Sequence, residues 1–233
     1  ARLGLVTFDL DDSLYPIAPV LADANRVFVQ LMAQYGCAVT DADLVAAGQR
    51  IRAEAGPVAG AAMSHTEVRT AAIRREMERC VRAFSMSCTR VPHPPRRTHR
   101  TSYFISPSSR FLVLLLRHTR APVCDADVDR VYAAWERERH HSAERHIYPG
   151  VLAALQRIKE DHPDAIIGAV TDGKANPLRM VFTLAPYFDF CTSWEDDAAG
   201  RNDFFQELSD ADGEADLRWI YRAAHATYAD LAG

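Results

Sequence analysis

Three carboxylates fall within four residues near the start of the chain, Asp9, Asp11 and Asp12, and the apolar run Leu3-Gly4-Leu5-Val6-Thr7-Phe8 leads into them. Carboxylates this close repel one another. A fold that keeps them together neutralises them with a divalent cation or uses them on a substrate. The plainer reading of the same residues is an acidic turn that caps the next helix. A second apolar run, Asp164 to Val170, stops at Thr171-Asp172-Gly173, which offers a hydroxyl and a residue that permits close backbone approach. Short apolar runs with polar residues at their C-terminal ends read as strands buried on both faces of a parallel sheet, and ligands bind at such ends.

The segment Phe8-Asp9-Leu10-Asp11-Asp12-Ser13-Leu14 resembles the first motif of the haloacid dehalogenase (HAD) superfamily, and Thr171-Asp172-Gly173 resembles the second. The resemblance implies that Asp9 is the nucleophile taking a phosphoryl group. Asp11 would protonate the leaving oxygen and later activate water, and Thr171 would hydrogen-bond the phosphoryl group. Leu10, Asp172 and Gly173 are the accompanying substrate-binding positions. A carboxylate attacks phosphorus only when its charge is screened, so Asp9 needs Mg²⁺, held by its own carboxylate and by the backbone carbonyl of Asp11. A halide leaves without a proton and an alkoxide does not, so Asp11 favours phosphomonoester hydrolysis over dehalogenation.

Order along the chain supports the match. Tyr148-Pro149-Gly150 opens a helix with Val151, Leu152, Leu155 and Ile158 on one face, ending near Asp161-His162-Pro163 just before the second strand. Between the first motif and the helix opened at Tyr148 lie about 130 residues, too many for one crossover connection, so an inserted domain is expected there, the cap of the family. Its pattern is helical. Val27, Phe28, Leu31, Met32 and Tyr35 recur at helical spacing before Gly36, Thr40 can cap a helix carrying Leu44, Ala47 and Ile51, and Ser64-His65-Thr66-Glu67 is a capping box. Asp127 opens a further helix with Val128, Val131 and Trp135 inward and Glu136 to Arg139 outward. His140, His141 and His146 suit a solvated or hydrogen-bonded role better than a metal site. Residues 88–120 break the pattern with a Pro- and Arg-rich basic stretch and the apolar run Phe111 to Leu116.

Composition sets limits. The 233 residues can bury one core and a smaller second domain, and 27 basic against 31 acidic residues make no case for nucleic acid or membrane partners. Five cysteines show no metal-ligand spacing, which points to reduced thiols and a reducing compartment, the cytoplasm foremost. No apolar stretch is long enough to span a membrane. The chain starts directly in a core strand without an initiating Met, which leaves room for an upstream targeting segment.

The C-terminal third departs from the family, which expects a third-motif Lys and a fourth strand ending in Mg²⁺-binding acids. Only two lysines are present, Lys159 and Lys174. Lys174, three residues past Thr171, is the candidate for the pocket, with Arg201 as a cationic substitute. Tyr187 to Ser193 resembles the third strand and its serine, the acidic run Asp210 to Asp216 follows no strand, and residues 217–231 read as one helix. Without a fourth strand, the strand bearing Asp9 is an open edge, covered by Phe111 to Leu116 or by a second copy of the chain, or else the chain is a truncated or divergent form.

The expectation is an α/β protein: a parallel-sheet, Rossmann-like HAD core at 1–14 and 148–233 with an incomplete or divergent C-terminal part, and a helical cap at 15–147. Its expected activity is that of a Mg²⁺-dependent phosphatase acting on a phosphorylated small molecule. The alternative is a non-catalytic HAD-like protein that binds a phosphorylated ligand or a protein partner.

Overall fold

In a computed structural model, residues 3–88, 123–195 and 218–233 are described. Three strands, β1 (Leu5–Phe8), β2 (Ile166–Thr171) and β3 (Phe190–Ser193), form a parallel sheet in the order β1-β2-β3. Leu5 pairs with Ile166 and Phe8 with Ala169, and Thr171 pairs with Ser193, so the C-terminal ends of all three strands arrive at one edge of the sheet.

Burial differs between the strands. All of β2 after Ile166 is buried, as its central place requires. The expectation that β1 is equally buried is corrected: Thr7 is exposed and Leu5, Val6 and Phe8 are half-buried. Among the described residues β1 pairs only with β2, and an edge strand loses the lateral cover that a central one has. The run Phe111 to Leu116, the basic stretch 89–120, Arg201 and the acidic run Asp210 to Asp216 lie outside the described residues.

Helices cover both faces of the sheet. Ile167 and Ala169 pack with Leu10, Tyr15, Val20, Leu155, Met180, Leu184 and Phe188 on one face. Helix α6 (Val151–Asp161) supplies Leu155 there, and Gly150 (φ 90°) starts it in a left-handed conformation that glycine adopts without strain. On the other face, Val170 and Phe190 pack with Ile220 and Ala224 of α7 (Arg218–Ala232). Alternation along β2 sorts its side chains onto the two faces.

Between β1 and β2 the chain forms α1 (Ile17–Gln34), α2 (Asp41–Ala55), the short α3 (Pro57–Ala62), α4 (His65–Cys88) and α5 (Asp125–His146). The caps expected at Thr40 and Ser64 form, whereas α5 begins at Asp125, two residues before the Asp127 expected to open it. Thr40 and Asp43 form a reciprocal capping box on α2, and Ser64 and Glu67 form another on α4 through Ser64 N to Glu67 Oε2 at 2.6 Å and Glu67 N to Ser64 Oγ at 3.0 Å. Gly36 (φ 76°) ends α1. These helices enclose a core of their own, with Phe28 and Met32 of α1, Leu44 and Ala47 of α2, Ile73 and Met77 of α4, and Val128, Val131 and Trp135 of α5. The two ends of this unit reach into the sheet's core, since Tyr15, Val20 and Ala143 pack there. Helices α1 and α5 therefore run from one core into the other and fix how the helical unit sits on the sheet.

Candidate functional site

The loop after β1 assigns its three carboxylates to different tasks. Asp12, in a left-handed conformation (φ 58°), accepts from Ile17 N at 2.9 Å and so caps α1, whose N-cap Pro16 has no side chain able to do so. The helix-capping reading is therefore right for Asp12 alone. Asp9 is exposed and accepts from Ser13 Oγ at 3.1 Å. Asp11 is half-buried and held on both oxygens: Tyr15 Oη donates to Oδ1 at 2.9 Å and Arg139 Nη2 to Oδ2 at 2.6 Å.

That arrangement sets the protonation of the loop. Burial raises the pKa of Asp11 from the ordinary carboxylate value, against the opposing influence of Arg139 and the Tyr15 hydrogen bond. Burial also pushes the Tyr15 phenol far up, so its hydroxyl remains a donor to Asp11.

Thr171, at the end of β2, is buried, and its Oγ1 accepts from Gly173 N at 3.1 Å. Ser193, at the end of β3, donates to Gly173 O at 2.7 Å. Gly173 is thus gripped from two strand ends, and it lies against Asp11: a Cβ placed on it would stand 2.8 Å from Asp11 Oδ2, 3.4 Å from Arg139 Nη2 and 3.6 Å from Thr171 Oγ1. The position needs glycine because three functional groups converge on it. Asp172 is exposed beside it and Leu10 is fully buried behind the loop.

A cavity of 510 Å³ opens between the strand ends and the helical unit, with Asp11, Asp172, Gly173 and Lys174 on the sheet side and Arg139, His65, Arg69, Tyr132 and Trp135 among the lining residues from the helical unit. Arg69 stacks 3.8 Å above the Trp135 ring, and its burial lowers its pKa to about 10. Glu195, just beyond β3, accepts from His65 N at 2.5 Å and Thr66 N at 3.3 Å, so a carboxylate from the sheet side closes the N-terminus of α4, whose His65 and Thr66 line this cavity. Desolvation lowers the pKa of His65.

The structure brings Asp11, Thr171 and Gly173 together and places Lys174 in the same cavity. Lys174 Nζ lies 3.9 Å from Glu136 Oε1, and Lys159 pairs with Asp189 at 2.8 Å. The sequence reading missed Arg139. It placed Arg139 with Glu136 on a solvent face of α5, and the structure corrects this: Arg139 is 4% exposed, and Glu136 pairs with Lys174 and, at 2.7 Å, with Arg179. The available signal was position, since Arg139 follows Trp135 by four residues and so continues the inward stripe of Val128, Val131 and Trp135. His140 is also buried, with Nδ1 2.8 Å from Glu136 O and Nε2 accepting from Asn176 N at 3.2 Å, in line with a hydrogen-bonded role.

Among the described residues, no three His, Cys, Asp or Glu side chains gather closely enough to hold a metal ion. A Mg²⁺ ion here would rest on the Asp9 carboxylate and the Asp11 carbonyl. That suits an ion which takes one or two carboxylates and completes its shell with water and substrate phosphate. No helix among the described residues is long and apolar enough to cross a membrane.

No protein-family model and no curated protein matches the chain. Among solved structures, the 2-haloacid dehalogenase from Pseudomonas syringae pv. Tomato DC3000 matches with a TM-score of 0.54 and 20% sequence identity, covering 92% of this chain and 75% of that one. A parallel β1-β2-β3 sheet with its helical segment inserted after β1, carrying Asp9 and Asp11 at the end of β1 and Thr171 at the end of β2, is therefore a haloacid dehalogenase-like fold.

Proposed function

We propose that this chain is a phosphomonoester hydrolase that works through an aspartyl-phosphate on Asp9, with the helices between β1 and β2 serving as a cap over the site. The observation that carries this reading is the second aspartate: Asp11 lies at the strand ends, held by Tyr15 and Arg139, within reach of the point where Thr171 and Gly173 converge. The solved neighbour is a dehalogenase by name. Halide departure needs no proton, so a positioned acid has work only when the leaving atom is oxygen.

The exposed Asp9 carboxylate attacks phosphorus, forming the Asp9–phosphorus bond as the ester oxygen departs. Burial keeps the pKa of Asp11 raised, which favours its carrying the proton that the departing oxygen takes. Once deprotonated, the same group accepts a proton from the water that hydrolyses the acyl phosphate, and Asp9 is restored. Thr171 presents its hydroxyl at the strand end, and Gly173 leaves the room an incoming phosphoryl group needs. A bound Mg²⁺ would supply charge screening between Asp9 and the phosphate.

A second reading, a protein that binds a phosphorylated ligand without turning it over, is favoured by one feature. Arg139 already neutralises Asp11, and both lysines are engaged with carboxylates. Turnover of phenyl phosphate with and without Mg²⁺ separates the two. Phosphate release that depends on Mg²⁺ supports the hydrolase. Binding of inorganic phosphate with no release supports the binding protein, and chloride release from 2-chloropropionate overturns the assignment of Asp11.

A further inference from the structure

Five basic residues line the cavity, and three are already engaged. Arg52 donates to Gly60 O at 2.6 Å, Arg69 donates to Asn25 Oδ1 at 3.4 Å and stacks on Trp135, and Lys174 pairs with Glu136, while desolvation disfavours the charged form of His65. Arg139 is different. Its Nη2 is held by Asp11 Oδ2 at 2.6 Å, while its Nη1 is buried with no hydrogen-bond partner among the described residues. A guanidinium presents five donors and cannot shed its charge, so a buried nitrogen left without an acceptor is a standing cost that a native fold carries for a reason.

We propose that Arg139 is a phosphoryl-binding residue of this site: Nη2 orients Asp11, and Nη1 receives an oxygen of the substrate's phosphoryl group. The proposal rests on the phosphate reading given above and deepens it. Three observations support it. The unpartnered donor belongs to a side chain 5% exposed in the wall of the cavity. Its guanidinium stands next to the convergence point, where a Cβ on Gly173 would lie 3.4 Å from Nη2 and 3.6 Å from Thr171 Oγ1. The chemistry also fits, since a planar fork spans two acceptors and one of the two is already in place. Arg139 sits on α5, outside the sheet, so the cation that meets the phosphoryl group would come from the helical unit. Anion binding then requires that unit to be seated on the strand ends.

The test is calorimetric titration of the full chain with inorganic phosphate, comparing wild type with Arg139→Met and Arg139→Lys. Loss of a charge-assisted hydrogen bond predicts phosphate affinity lower by about ten- to a hundredfold in Arg139→Met. A smaller loss is expected in Arg139→Lys, which keeps the charge but not the fork. Affinity in Arg139→Met equal to wild type overturns the proposal, as does wild type that binds no phosphate. Should either variant fail to fold, a crystal of the wild-type chain with tungstate decides: an anion oxygen within hydrogen-bond distance of Arg139 Nη1 supports the role, and an anion placed elsewhere overturns it. Phenyl phosphate turnover on the same wild-type preparation keeps the two readings apart. Turnover alongside unchanged affinity in Arg139→Met removes only the role of Arg139. Affinity lost in Arg139→Met, with no turnover by wild type, removes only the hydrolase.

Discussion

Arg139 and Asp11, 128 residues apart in sequence, meet in a 2.6 Å contact between guanidinium and carboxylate in the wall of the cavity. Neither is fully paired by this contact, because Asp11 also accepts from Tyr15 and Arg139 retains a buried nitrogen without an acceptor among the described residues. The pair joins the helical unit to the loop that bears the candidate nucleophile. Arg139→Met would therefore affect both the proposed anion site and the proposed acid beside it.

Asp11→Asn keeps the shape and the capacity to accept from Arg139 or Tyr15, but it removes the proton. Turnover of alkyl phosphates should fall by about a hundredfold or more, and that of aryl phosphates, whose leaving groups need less help, by less. Steady-state rates on a pair of substrates that differ in leaving-group basicity measure this. Equal losses on both would remove the acid role.

Asp9→Asn should abolish phosphate release and leave stability within about 0.5 kcal/mol, because Asp9 is exposed and its hydrogen bond from Ser13 is a surface contact. Phosphate release and thermal unfolding of the same preparation test the two halves together. A variant that keeps turning over substrate would take Asp9 out of the mechanism.

Gly168 faces the Phe190 ring across the β2–β3 pair so closely that an added Cβ would overlap it. Phe190 is buried against Val170, Ile220 and Ala224 and has little room to move. Gly168→Ala should cost about 1–3 kcal/mol in urea unfolding, the usual range for overpacking a core. Combining it with Phe190→Leu should recover part of the loss, and an additive double variant would contradict the contact.

His140 is buried, its Nε2 accepts from Asn176 N, and desolvation lowers its pKa to about 4. Between its unfolded value near 6.5 and that folded value, the unfolded chain binds a proton that the folded chain refuses. Acidification then destabilises the fold, by about 1.4 kcal/mol per pH unit at most from this one residue. Urea unfolding at pH 7 and pH 5 should show a shallower decline in His140→Gln than in wild type. An identical decline would show that His140 does not titrate in this window.

Local chemistry was legible in the sequence. The strands bearing Asp9 and Thr171, the cap Thr40, the capping box Ser64–Glu67, the helix opened by Gly150 and the C-terminal helix all rest on rules that operate within a few residues, and the structure shows each of them. The proximity of Asp9 and Asp11 is likewise a matter of covalent spacing. Tertiary structure decided the rest. It left β1 half-buried and, among the described residues, paired only with β2, because a strand's burial depends on its neighbours rather than on its own apolar content. It gave Asp12 to the start of α1 and Asp11 to Tyr15 and Arg139, a division that three adjacent acids do not reveal. It also turned Arg139 inward from a run of charges that reads as a solvated face. A charged residue becomes buried only where a distant partner awaits it, and that partner, Asp11, is reached only when α5 packs along α1 over the strand ends.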